Sequence, residues 1–173
     1  VYALLQKGDT VGVFQLESEG MRRTLAGVKP TGFGDIIALV SLYRPGPMDN
    51  IPMFGDRKNG RAKVEYPHPL LEGILAETYG IFVYQEQVML LAQKLGGFSK
   101  GDADVLRKAM GKKQKSVLDK MKAQFVAGAT RNNHPKEKVE KIWTDWEAFA
   151  QYAFNKSHST CYAFVAYQTW LLY

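Results

Sequence analysis

The sequence has almost no cysteine, no long uninterrupted apolar run, no internal repeat and no low-complexity tract. Its single thiol, Cys161, excludes an intramolecular disulfide framework, and Val1 is not followed by the basic, apolar and small-residue succession of a secretory leader. A reducing, cytoplasmic setting is therefore expected. The longest weakly polar stretch, Cys161 to Tyr173, is broken by Gln168 and Thr169 and falls short of the roughly 20 residues that a membrane helix needs, so no membrane association is expected. Apolar residues at 46% and charged residues at 23% exclude a disordered or fibrous chain.

What is present is a chain of 173 residues, a length that fits one domain burying about two-thirds or more of its unfolded surface. It opens on Val1 rather than methionine and closes on Tyr173 inside an apolar pattern, so a piece of a longer protein is expected. Alternation over Thr10 to Leu16 predicts a short strand after a Gly8-Asp9 turn. Nearly everything else reads as helix. Glu17 to Val28 pairs Met21 with Leu25 at i, i+4 and stops before Pro30, while Gly34 to Tyr43 is apolar almost all round, as a buried helix is. Arg44 to Tyr79, rich in Pro, Gly and Asn, reads as a loop with short helical turns. Phe82 to Leu95 ends on Gly96-Gly97, and Ser99, with Asp102 three residues on, marks the start of a helix running to Met110. Further helices are predicted over Lys115 to Thr130, over Lys136 to Tyr152 with Val139, Ile142, Trp143, Trp146 and Phe149 on one face, and over Ser157 to Tyr173. The fold class expected is mainly α, an irregular multi-helix arrangement with at most a few short strands near the N-terminus and around residues 79–84.

A net charge of +6 points toward a polyanionic partner. Its distribution is more telling than its size. Arg107, Lys108, Lys112, Lys113, Lys115, Lys120 and Lys122 stand against Asp119 alone, so this one stretch carries an excess as large as that of the whole chain, +6. Such a group neutralises a nucleotide triphosphate or a duplex backbone as readily as it forms a solvated helix end.

Other constellations are weaker. Asp102 and Asp104 resemble a carboxylate pair for two-metal chemistry, but residues two apart on a helix diverge, and acidic groups favour a first helical turn for their own electrostatic reasons. "MGKKQKS" lacks the first glycine of a phosphate-binding loop, because Leu106 occupies that place. His158 and Cys161, at i, i+3, raise a thiol nucleophile with its base, yet no oxyanion device accompanies them. Lys156 and His158 lie at a helix start, where unpaired N–H groups favour an anion.

Five segments in order, "VFQLES" (13–18), "ALVSLYRPGPM" (38–48), "YGIFVYQEQVM" (79–89), "ADVLRKAMGKK" (103–113) and "FNKSHSTCYAFVAYQTWL" (154–171), are similar to the α subunit of bacterial DNA polymerase III, a C-family replicative polymerase. The resemblance covers nearly the whole chain and implies a fingers domain, residues 1–173, that closes over the incoming deoxynucleoside triphosphate. It places no catalytic residue and no metal ligand here: the aspartates holding two Mg2+ ions belong to a palm upstream, and Asp102 and Asp104 are not their equivalents. Arg107 and Lys108 match a basic pair that reaches the nucleotide triphosphate. Many relatives carry Arg-Arg at that pair, and Lys108 keeps the charge without the planar fork. Lys156 and His158 match positions facing the nascent base pair and nucleotide. Arg44, Tyr84, Gln85, Lys112, Lys113 and Asn155 are further candidates for nucleotide or DNA contact. Primer-template DNA and dNTP are the implied partners, joined in the full-length protein by a sliding clamp and other replicase subunits, and the fragment alone is expected to be inactive. The rival readings are a non-catalytic basic helical module that grips nucleic acid, and a small hydrolase around His158 and Cys161.

Overall fold

Three helices begin where a side-chain oxygen meets a bare backbone N–H. Ser18 Oγ accepts from Met21 N–H at 3.3 Å, Ser99 Oγ from Asp102 N–H at 3.1 Å, and Asn155 Oδ1 from His158 N–H at 2.8 Å. The computed structural model describes residues 1–172. Among them lie ten α-helices: α1 (Tyr2–Lys7), α2 (Glu19–Val28), α3 (Phe33–Leu42), α4 (Ile51–Lys58), α5 (Pro69–Leu75), α6 (Gln85–Lys94), α7 (Lys100–Gly111), α8 (Lys115–Arg131), α9 (Lys136–Ala150) and α10 (Lys156–Leu171). Two 3-10 turns, Pro47–Asn50 and Ala76–Thr78, complete the helical content, and no strand occurs among the described residues. The expected mainly α class holds. Tyr173, the last residue of the predicted final helix, lies outside the described residues.

The helices fall into two compact units. The first takes residues Val1–Val64, Glu77–Val83 and the chain from Phe154 onward. Here α3 is buried almost all round, as its composition predicts, and packs against α10. The face that α10 buries is made of Ser159, Ala163 and Ala166, spaced four and three apart, and side chains this small let two helices approach closely. Ser159 Oγ stays satisfied in this contact by donating to the Lys156 carbonyl at 3.0 Å.

At the start of α3 a polar cluster is enclosed. The Asp35 carboxylate accepts from Thr31 N–H (2.8 Å), from Gly32 N–H (3.2 Å) and from the Tyr79 hydroxyl (3.1 Å). Lys58 Nζ sits 3.6 Å from it, with the two side chains only 4% and 7% exposed. Burial first, then the charge of Asp35 and its hydrogen bond, push the Tyr79 phenol up to about 12 from 10.0. The fold favours the neutral phenol, so this contribution to stability is complete below about pH 10 and is lost as the pH rises from there through about 12. Tyr79→Phe is expected to flatten that part of the alkaline stability profile and to remove one phenol from the portion of an ultraviolet absorbance titration above about pH 10. A stability profile that Tyr79→Phe leaves unchanged would contradict the raised phenol.

The second unit takes Glu65–Ala76 and Tyr84–Ala153. Its centre is aromatic: the Phe125 ring lies 5.3 Å from that of Trp143 and 5.4 Å from that of Trp146, and the two indoles meet edge-on at 5.0 Å. Most of the face predicted for α9 is buried, with Val139, Ile142, Trp143 and Trp146 inside, while Phe149 is only half-buried. Around this centre α6, α7, α8 and α9 pack on one another, and Gly128 of α8 rests directly against the backbone of Gly96, just past the end of α6.

Three expectations need correction. Thr10 to Leu16 is not a strand: Val13 N–H bonds to the Thr10 carbonyl (3.1 Å), Leu16 N–H to the Val13 carbonyl (3.0 Å), and the Thr10 hydroxyl to the Leu16 carbonyl (2.5 Å). Thr10, Val13 and Leu16 are buried while Val11, Phe14 and Gln15 are exposed, a period of three produced by successive turns, with Gly12 at φ 80° and Gln15 at φ 65°. Nor does a strand form around residues 79–84, where Tyr79 and Gly80 turn at positive φ and Phe154 N–H donates to the Val83 carbonyl at 3.0 Å. Finally, Arg44 to Tyr79 contains two real helices, α4 and α5, each with proline in its first turn, where a missing N–H costs nothing. Proline there opens a helix rather than marking a loop.

Candidate functional site

Asp102 sits in the first turn of α7, its carboxylate accepting from Ser99 Oγ at 2.7 Å, and this cap sets where the helix begins. Arg107 and Lys108 fall three and four residues beyond Asp104, the spacing at which helical side chains meet. Arg107 donates to Asp104 Oδ1 from both Nε (3.0 Å) and Nη2 (2.8 Å), while Lys108 Nζ reaches Oδ2 at 2.7 Å. One carboxylate thus gathers both cations. The Lys108 bond first and the Arg107 bond second hold the Asp104 carboxyl below its ordinary value. Asp102 and Asp104 therefore have separate partners and do not form a pair.

Lys112 and Lys113 follow at the end of α7, both exposed, with Lys112 N–H bonded to the Lys108 carbonyl at 3.0 Å and Lys113 at φ 53°. Cations at this end complement the helix dipole. Gln85, the first residue of α6, lines the same cavity of about 40 Å³ as Arg107, together with Met110 and Gln151. Tyr84, directly before it, is 2% exposed and belongs to the core of the unit.

Arg44, Asn155, Lys156 and His158 belong to the other unit, around the start of α10. Lys156 Nζ donates to Glu77 Oε2 at 2.5 Å, with side-chain exposures of 36% and 45%. The exposed His158 ring lies between Phe154 (centroids 5.5 Å apart) and Tyr162 (4.4 Å), the aromatics that flank it in "FNKSHSTCY". Tyr162 in turn meets Phe14 at 5.5 Å, and the Arg44 guanidinium stands 4.7 Å over the Phe154 ring. Burial pushes Arg44 below its usual value, and its Nε donates to the Ser41 carbonyl at 2.9 Å. A row of rings that is exposed at His158 and Phe14, half-buried at Phe154 and Tyr162, and bordered by cations can accept a base face and a phosphate together.

Residues 1–133 match the sequence profile of the bacterial DNA polymerase III alpha subunit finger domain. Over 171 residues the chain is 52% identical to DNA polymerase III subunit alpha of Aquifex aeolicus, which takes in 98% of this chain and 15% of that protein. The chain belongs to the bacterial DNA polymerase III α-subunit finger-domain family. Similarity of the same order links this finger domain to DNA polymerase III subunit alpha of Caulobacter vibrioides, 56% identical over 171 residues, 98% of this chain and 15% of that protein. It also reaches that of Bacillus subtilis, 49% identical over 167 residues, 96% of this chain and 15% of that protein. The finger domain therefore spans about 15% of the length of these relatives.

Two residues of the finger domain's candidate surfaces, Glu77 and Phe14, escape sequence reasoning, and a third, Asp104, stands out there only as half of a carboxylate pair. Asp104 had a usable signal, because its spacing to Arg107 and Lys108 is that of a helical ion pair. Glu77 stands 79 positions from Lys156, and Phe14 meets Tyr162 only through the tertiary fold, so neither had a local signal.

Proposed function

We propose that this finger domain serves a replicative DNA-directed DNA polymerase, binding the incoming dNTP and primer-template DNA during template-directed 5′–3′ synthesis. Arg107 and Lys108 contact the triphosphate, and Lys156 and His158 border the nucleotide and the nascent base pair. The observation that carries this reading is the 52% identity over 171 residues with a DNA polymerase III subunit alpha. Physical chemistry supports it: phosphoryl transfer is mainly positioning and charge stabilisation, and α7 presents an arginine fork and an ammonium side by side. The exposed Lys112, Lys113, Lys115 and Lys120 then follow the nucleic-acid backbone.

Magnesium, in this reading, is held outside the chain. Among the described residues no group of three or more His, Cys, Asp or Glu is placed to hold a metal ion, and Asp102 and Asp104 are each tied to local partners. The side chains present do not fit a two-metal site, so no step is assigned to the ion here. A cytoplasmic location, a sliding clamp and other replicase subunits belong to the same proposal. No helix among the described residues is long and apolar enough to cross a membrane.

The test is steady-state synthesis by the full-length polymerase. Arg107→Ala removes charge-assisted hydrogen bonds and is expected to lower kcat/KM for dNTP about 10- to 100-fold, while Lys120→Ala on the exposed face of α8 changes it by less than about threefold. Equal effects from the two substitutions would favour a basic module that only grips nucleic acid.

A further inference from the structure

The edge of Arg107 that a phosphate would occupy is already taken. Nε and Nη2 form the fork with which an arginine grips an oxyanion, and both point at Asp104 Oδ1, at 3.0 and 2.8 Å. The same carboxylate takes the Lys108 ammonium through Oδ2 at 2.7 Å. We infer that Asp104 is a built-in counter-anion, seated on Arg107 and Lys108 where the phosphates of the nucleotide bind, and displaced by them. The inference rests on the triphosphate role proposed above for those two cations.

The strength of the contact suits displacement. The side chains of Asp104, Arg107 and Lys108 are 37%, 31% and 59% exposed, so water screens the pairing, and such pairs shift an equilibrium by no more than about fivefold. A lone carboxylate of charge −1 yields readily to a triphosphate or pyrophosphate, whose several charges and oxygens can take the arginine fork and the ammonium at once. It competes on more equal terms with singly charged anions. Asp104 is thereby a specificity-determining residue: it holds the two cationic heads together in the absence of nucleotide, lowers their pull on stray anions, and leaves the polyphosphate favoured. An i, i+3 and i, i+4 pair serving helix stability alone would show none of this in kinetics, since losing it costs the helix little.

The experiment uses the full-length polymerase on primed template, with KM and kcat for dNTP and the half-inhibiting pyrophosphate concentration as readouts. Asp104→Asn, and Asp104→Ala as a second variant that raises helix propensity, are expected to lower both KM and the half-inhibiting concentration about two- to fivefold, the change falling on KM rather than kcat. Asp104→Glu, which keeps the charge, restores values near those of the unsubstituted enzyme. In an Arg107→Ala, Lys108→Ala background, Asp104→Asn has no further effect. If Arg107→Ala raises KM while both charge-removing substitutions leave KM unchanged or higher, the counter-anion is overturned and the triphosphate role stands. If Arg107→Ala also leaves KM unchanged, the triphosphate role falls with it.

Discussion

Gly128→Ala is expected to destabilise the helical unit that carries Arg107 by about 2–4 kcal/mol. Intrinsic propensity argues the other way, since alanine in a helix interior is favoured over glycine by about 1 kcal/mol. Contact decides the sign. A Cβ on Gly128 would drive into the Gly96 carbonyl oxygen and lie 2.9 Å from the Gly96 carbonyl carbon, and backbone cannot swing aside as a flexible side chain can. Relief requires α8 to move away from the end of α6, which opens the packing of Phe125 against Trp143 and Trp146. Gly73→Ala on α5 is the control: no atom lies within 4 Å of the added methyl, so the substitution should be neutral or mildly stabilising. Urea unfolding followed by tryptophan fluorescence reads both, because Trp143 and Trp146 are fully buried in this unit. A Gly128→Ala midpoint at or above that of the parent would contradict the close approach.

Asp35→Ala should cost the other unit about 3–5 kcal/mol. The Lys58 side chain, 4% exposed, would lose its carboxylate and keep only the Lys29 carbonyl at 2.8 Å and Thr31 Oγ1 at 3.1 Å. Two backbone N–H groups at the start of α3 and the Tyr79 hydroxyl would lose their acceptor in the same step. The cost comes mainly from stranding a buried charge, so the double substitution Asp35→Leu, Lys58→Met is expected to recover a large part of it. Chemical denaturation of the two variants separates these outcomes. A double variant no more stable than Asp35→Ala would mean that the pairing itself, rather than the unpaired lysine, sets the loss.

Much of this architecture is local and therefore legible in sequence. Caps such as Ser99 with Asp102, the all-round apolar character of α3 and the single apolar face of α9 each come from neighbours within a turn or two. What stayed hidden depends on distance along the chain. Val11 and Val13 look alternately disposed, yet the Thr10 hydroxyl closing onto the Leu16 carbonyl turns the segment into successive turns. Proline in the first turns of α4 and α5 reads equally as loop or helix start until packing chooses.

The candidate site divides the same way. Arg107 and Lys108 stand out by charge density, and Asp104 is within reach of helical spacing alone. Lys156 and His158 are marked by their place at a helix start, and the aromatics around His158 are its sequence neighbours. The carboxylate on Lys156 comes from Glu77, far away in sequence, which no periodicity could supply.

The most direct measurement is single-turnover nucleotide incorporation by the full-length polymerase, titrated with dNTP, comparing the parent with Arg107→Ala on preformed primer-template complexes. The dissociation constant for dNTP should rise about tenfold or more, while the affinity for primer-template without nucleotide stays within about threefold. A nucleotide constant that does not move, with primer-template affinity falling instead, would contradict a triphosphate seat on α7 and make its cations a DNA grip.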